Sequence, residues 1–308
     1  MIFIDKLIQG WGTVMSIHES SLTDDEYSEF LNRYFKPSVI QFVGRSLLST
    51  LIAFILTVSA AIYWHENQMT TWILAVVAVV SFAVHLRFQE NLVHSGSHYC
   101  VSHNPVANDL LVNIFAGLQV AQQVKAYRLS HSMHHTYFGS DNDPCKARYE
   151  NQHRPLRNML SMTLSFYQQI NANKIAVLMT VLYYTGLYAL VVQTVSVEIA
   201  TRLLMLVLMA FFLVLPVIRY IAEMAEHDYA LSDSEFGSTF NNLSVVDRWL
   251  FHPAADGYHL LHHLYPAIPF WQHKKAHRFL MERDEQYVNG HHKTSTVEKF
   301  RLFIGEKS

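Results

Sequence analysis

Apolar residues along the chain gather into four long uncharged runs: Ser46 to Trp64, Thr70 to Val84, Ile175 to Val197 and Leu203 to Val217. Each approaches or exceeds the ~17–20 helical residues that cross a bilayer core. The second does so when His85 and Leu86 lie within the span or at its edge. The runs come in pairs, joined by the short connectors His65–Met69 and Glu198–Arg202. Buried helices of a soluble protein are the competing reading, but two such pairs with tiny connectors are unusual in water.

Outside the runs the pattern predicts helices of another kind. Thr23 with Glu26 three residues on forms a capping box, opening a helix that stops before Pro37. It sets Leu22, Tyr27, Phe30, Leu31, Tyr34 and Phe35 among acidic residues, a face suited to packing on the non-membrane part of the chain. The second run continues as a helix through Arg87, Glu90 and His94. After the break at Asn104-Pro105, Leu110 to Val120 is too short to span and reads as an interfacial or re-entrant helix. Residues 1–20 are mixed and read as irregular.

The expected fold is an all-α integral membrane protein, with four transmembrane helices in two hairpins capped by a cytosolic helical domain holding a histidine-rich dimetal site. Its parts are an N-terminal segment (1–44), hairpin one (45–86), a cytosolic segment (87–173), hairpin two (174–218) and a second cytosolic segment (219–308).

Charge gives the orientation. The first connector carries no Lys or Arg. Arg87, Lys125, Arg128, Lys146, Arg148, Arg154, Arg157 and Lys174 all fall in the central segment, and Arg219 with the basic C-terminal region follows the last run. Positive residues mark the cytoplasmic side, which therefore holds both termini and the histidine clusters. A net charge of −2 gives no reason to expect nucleic acid. Two cysteines, Cys100 and Cys145, make a disulfide framework or a cysteine-ligated cluster unexpected. No cleavable signal peptide is read in the first 40 residues.

The chemistry lies in histidine. His131, His134 and His135 form one His-x-x-His-His box, and His259, His262 and His263 form a second; His94 and His98 stand four apart just after the second run. With 19 histidines in 308 residues, chance gives one such box in roughly 7% of sequences and two in well under about 1%. Glu223 and His227 share the i, i+4 spacing beyond the fourth run. Nine imidazoles are too many for one metal, so two metals are read, held by His94, His98, His131, His134, His135, His227, His259, His262 and His263. Nitrogen-rich coordination suits iron, zinc, copper or nickel, and redox chemistry beside an apolar membrane site favours iron. His85 is left as a core residue. His103, His153, His252, His273, His277, His291 and His292 lack a repeated pattern and are left as surface or supporting residues.

This order of boxes is similar to that of the membrane fatty acid desaturase and hydroxylase family. The flanks Asp141 to Pro144 and Leu264-Tyr-Pro266 through Trp271 resemble it too, so that the likeness covers roughly residues 45–280. The resemblance implies four transmembrane helices, a cytosolic non-haem di-iron centre (two Fe ions), molecular oxygen as co-substrate and externally supplied electrons. It implies the three boxes as ligands, with His227 matching an extra ligand that acyl desaturases carry after their fourth helix. Glu223, the candidate catalytic residue, falls where some of those enzymes place an asparagine. A carboxylate there departs from the pattern and leaves direct metal binding and ligand orientation both open. Asp143, Glu226 and Asp228 are expected to hold ligand imidazoles from behind.

The leading expectation is oxygen-dependent desaturation of a fatty acyl or lipid-like chain, entering a narrow apolar tunnel. Hydroxylation, acetylenation or alkene-forming decarboxylation on the same centre is the close alternative, and a membrane metal transporter the distant one. Spans one, three and four carry no acidic or histidine residue at mid-depth, which counts against transport. No haem domain or ferredoxin-like cysteine cluster is visible, so a ferredoxin, rubredoxin or cytochrome with its reductase is expected as donor, with Lys274, Lys275 and Arg278 a candidate docking face.

Overall fold

The computed structural model describes residues 20–64, 68–149, 155–232 and 234–297. The irregular reading of residues 1–20 therefore lies almost wholly outside the described residues, as do most of the first connector, His153 and Arg154.

Helix α1 (Asp24–Tyr34) opens on the predicted capping box, with Thr23 and Glu26 each accepting from the other's backbone N–H. Its buried Phe30 meets the rings of Tyr265 and Phe279 at centroid distances of 4.9 and 5.4 Å, fastening the N-terminal segment to the C-terminal one. Four helices are long and apolar enough to cross a membrane: α2 (Val39–Ile62), α3 (Met69–Ser97), α7 (Lys174–Thr194) and α8 (Val197–Met224). Helix α2 packs along α3 and α7 along α8, with α8 against both α2 and α3. The apolar stretches of α2 and α7 are only 17% buried, against 44% in α3 and α8. The inner pair thus carries the protein packing, while Leu47, Leu48, Leu51, Ile52 and Ile55 of α2 point outward. An apolar surface that large requires lipid.

Helix α3 is continuous well past its apolar stretch, as its sequence predicts, and this overhang carries the first histidines out of the spans. Helix α4 (Pro105–Val112) runs through a widened turn (Asn113–Gly117) into Leu118–Val120. Helix α5 (Val124–Thr136) bears the second histidine cluster, α6 (Pro155–Ala172) leads into α7, and α9 (His259–Leu264) bears the third. Helix α10 (His273–Arg283) covers the end of the cap.

The all-α expectation holds but for one small feature. Phe240–Asn242 (β1) pairs in parallel with His291–Thr294 (β2). That short ladder threads between the chain after α8 and the start of α9. Phe240 N–H donates to Glu226 C=O at 3.0 Å and Asn242 N–H to Gly257 C=O at 2.7 Å. The buried Asn241 Oδ1 accepts from Leu260 N–H at 3.0 Å, satisfying one of the unpaired donors at the start of α9. Gly257 is required there, because a Cβ would lie 2.1 Å from Asn242 O.

Candidate metal centre

All nine expected histidines are at most 8% exposed and face one another between the C-terminal ends of α3 and α8, helix α5 and helix α9. They divide into two groups. In the first, His94 Nε2 lies 2.9 Å from His131 Nε2 and 2.8 Å from His262 Nε2. His135 Nε2 lies 3.0 Å from His131 Nε2 and 3.2 Å from His262 Nε2. His98 joins His94, His131 and His262 with all their ligand atoms within 4.8 Å of one another. In the second, His134, His227 and His263 meet the same 4.8 Å limit. His259 Nε2 completes it, 3.1 Å from His227 Nε2 and 3.2 Å from His263 Nε2.

Each His-x-x-His-His box serves both groups, in opposite senses. In α5 the i and i+4 residues, His131 and His135, enter the first group while His134 enters the second. In α9 the i and i+4 residues, His259 and His263, enter the second while His262 enters the first. Helix geometry dictates this. Adjacent residues are about 100° apart around the axis, so i+3 and i+4 diverge while i and i+4 share a face.

The groups have the chemistry of cation sites. Metal–imidazole bonds are about 2.0–2.1 Å, so ligand nitrogens at right angles lie about 3.0 Å apart, close to the spacing seen. One imidazole lone pair accepts one hydrogen bond, yet His94 Nε2 meets two imidazole nitrogens at that distance. His94 donates Nδ1–H to Asp256 Oδ1 at 3.0 Å, and His134 donates Nδ1–H to Asp143 Oδ1 at 2.9 Å. Burial would lower the His134 pKa, but Cys145 and Asp143 outweigh it and raise that pKa to about 10, so a metal there displaces a proton from Nε2. His98 Nε2 is buried without a hydrogen-bond partner. Burial holds His98, His131, His135, His259, His262 and His263 well below the ordinary histidine range, hence neutral and able to ligate. The residues fit a pair of divalent cations.

The supporting carboxylates were partly foreseen. Asp143 holds His134, itself fixed by Gly139 and Cys145 N–H and by Tyr229 O–H. Burial opposes ionisation of Asp143, but those donors hold its carboxyl below the usual range. Glu226 lies 3.8 Å from His259 Nε2 and 3.4 Å from Arg87. Asp228 instead accepts from Ala230 N–H. Asp256, on His94, and Thr239, 3.2 Å from His227 Nδ1, escaped the sequence reading. Asp256 stands three residues before the third box, the one signal that could have found it. It follows Ala254 and Ala255, both left-handed at φ 58° and 56°, a costly backbone kept where it aims that carboxylate. His252 is also a supporting residue, with Nδ1 3.7 Å from Glu226 and 3.8 Å from Asp256. His85 bonds Ser49 and Gln119 as a core residue.

Glu223 is not in either nitrogen group. Its carboxylate pairs with Arg148 at 3.1 Å and faces a cavity of about 470 Å³ that also borders His94, His131, His134, His227 and His259. One side of this cavity is charged, with Arg87, Arg148, Arg219, Glu90, Glu223, Glu226 and Asp256, and the rest carries Tyr127, Tyr149, Phe166 and several alanines. Burial, with Asp256 beside it, pushes the Glu226 carboxyl well above the usual range, while the nearby His252, the hydrogen bond from His94 and the charge of Arg87 overcome burial and hold Asp256 well below it.

Four membrane-length helices capped by a paired histidine site define an integral membrane protein of the histidine-box class. The model of the fatty acid desaturase family matches residues 70–295, and the chain belongs to that family. Dihydrorhizobitoxine desaturase of Bradyrhizobium elkanii is 25% identical over 247 residues, which cover 69% of each chain.

Proposed function

We propose that this protein is an oxygen-dependent desaturase with two iron ions. One would be held by His94, His98, His131, His135 and His262, the other by His134, His227, His259 and His263. The reciprocal division of the two boxes between two nitrogen groups carries the reading. Family membership and the desaturase name of the Bradyrhizobium relative support it.

When bound, the iron pair supplies the activation of oxygen. The balance is removal of two hydrogens from neighbouring carbons, with O2 taken to two waters by two electrons and two protons from a donor. The protein's own part is positional. Asp256 and Asp143 orient the imidazoles of His94 and His134, and burial keeps His98, His131, His135, His259, His262 and His263 neutral. The family's name and the membrane spans support a fatty acyl or lipid-like substrate; the charged cavity does not, and it is taken up below.

Positive residues flanking the spans support a cytoplasmic site with both termini on that side. Exposed Lys274 and Lys275 with Arg278 on α10 offer a face for an acidic carrier such as a ferredoxin, rubredoxin or cytochrome. The test is reconstitution with iron, oxygen and a ferredoxin–reductase pair, with products read by mass. A product lighter by two hydrogens is expected, and a product heavier by one oxygen would make the enzyme a hydroxylase instead.

A further inference from the structure

The cavity that touches the histidines sets ion pairs beside the rings of Tyr127, Tyr149 and Phe166. No Leu, Ile, Val or Met lines it among the described residues. Methylenes laid along its charged side, rather than its rings, would strip water from ion pairs and give nothing back. The charges differ in how far they are engaged. Arg87 meets Glu90, Glu226 and Asp256 within 3.6 Å. Arg219 reaches Glu90 through two nitrogens, with its guanidinium 3.2 Å from the Phe166 ring centroid. Arg148 meets Glu223 through one terminal nitrogen only, and its side chain is 35% exposed. Arg148 and Glu223 also line a neighbouring cavity of about 200 Å³, so the pair stands where the two spaces adjoin.

Resting on the oxidase reading above, we propose that the substrate is a small water-soluble zwitterion, amino-acid-like, whose carboxylate is seated by Arg148 and whose ammonium is seated by Glu223. The charge balance selects this class. An anion alone would take Arg148 and strand Glu223; a cation alone would do the reverse. A molecule bearing both exchanges one ion pair for two, with no net charge added to the cavity. The guanidinium fork suits a carboxylate, and the rest of the substrate extends along the shared cavity toward the histidines.

The test is calorimetric titration of the iron-loaded protein in detergent with L-norleucine, hexanoate, hexylamine and palmitoyl-CoA. L-Norleucine should bind, with hexanoate and hexylamine at least tenfold weaker. Arg148→Gln and Glu223→Gln should each weaken norleucine at least tenfold at unchanged iron content, with Arg148→Lys between them and wild type. Palmitoyl-CoA that binds where norleucine does not, or norleucine binding indifferent to both variants, overturns the proposal. Two results separate the layers of the argument. Palmitoyl-CoA converted to an unsaturated product sinks the zwitterion while sustaining the oxidase. Norleucine bound as expected by a protein that consumes no oxygen with any donor sustains the seat and sinks the oxidase.

Discussion

The Nε2 atoms of His94 and His262 lie 2.8 Å apart although 168 residues separate them in the chain. Two nitrogens with lone pairs repel at that distance unless a proton or a cation lies between. Asp256 accepts the Nδ1–H of His94, which leaves the Nε2 lone pair facing His131 and His262 for a cation, and Asp256 becomes the residue to perturb.

Asp256→Asn should therefore lower metal affinity by about 10–100-fold, as should Asp143→Asn on His134. The two should act on different ions. Metal retention under graded chelation, measured beside wild type, checks this; unchanged retention in both variants would show that the imidazoles need no such support.

Gly257→Ala places a methyl group against the Asn242 carbonyl. The turn must shift, and it carries the start of α9. We expect a loss of about 2–3 kcal/mol in stability and depletion of the second ion before the first. Thermal denaturation and metal analysis of the same preparation read both.

His277 adds its own share to the pH dependence that the buried ligand imidazoles set. Burial, with His292 adding to it, lowers its pKa from the ordinary 6.5 to about 4, and its Nδ1 lies 2.8 Å from Tyr287 Oη. The unfolded chain takes up this proton more readily, so stability falls as pH drops from about 6.5 toward 4. Between pH 7 and 5 the loss should be about 1–2 kcal/mol. His277→Gln should flatten that part of the profile; identical slopes in the two proteins would contradict the assignment.

Reversing the charges of Lys274, Lys275 and Arg278 should slow turnover with an acidic carrier several-fold at low salt. The deficit should shrink at high salt, and metal content should not change. Stopped-flow reduction kinetics across ionic strength provide the measurement.

The spans and the nine histidines were legible because each rests on local spacing: an apolar run has a length, and a box has a helical period. The division of the boxes between two groups follows from the same period once both helices face each other, but which group His134 or His262 joins depends on how α5 and α9 dock. Asp256, Thr239 and Asn241 were not legible. Their roles arise from contacts between segments far apart in sequence or from a left-handed turn, and a lone polar residue carries no period. The charged side of the cavity was not legible for a similar reason. Arg87 and Arg219 lie in helical continuations of apolar runs, where they look like interface charges, and only the packed fold turns them with Glu90 and Glu226 onto one wall.

The central claim is two metal sites with divided ligands. Elemental analysis of anaerobically purified protein tests it most directly, with His262→Ala and His263→Ala beside wild type. The account predicts about two irons per chain in wild type and about one in each variant, the remaining ion differing between them in its spectrum. Two irons retained in both variants, or a single metal in wild type lost completely in either, would contradict it.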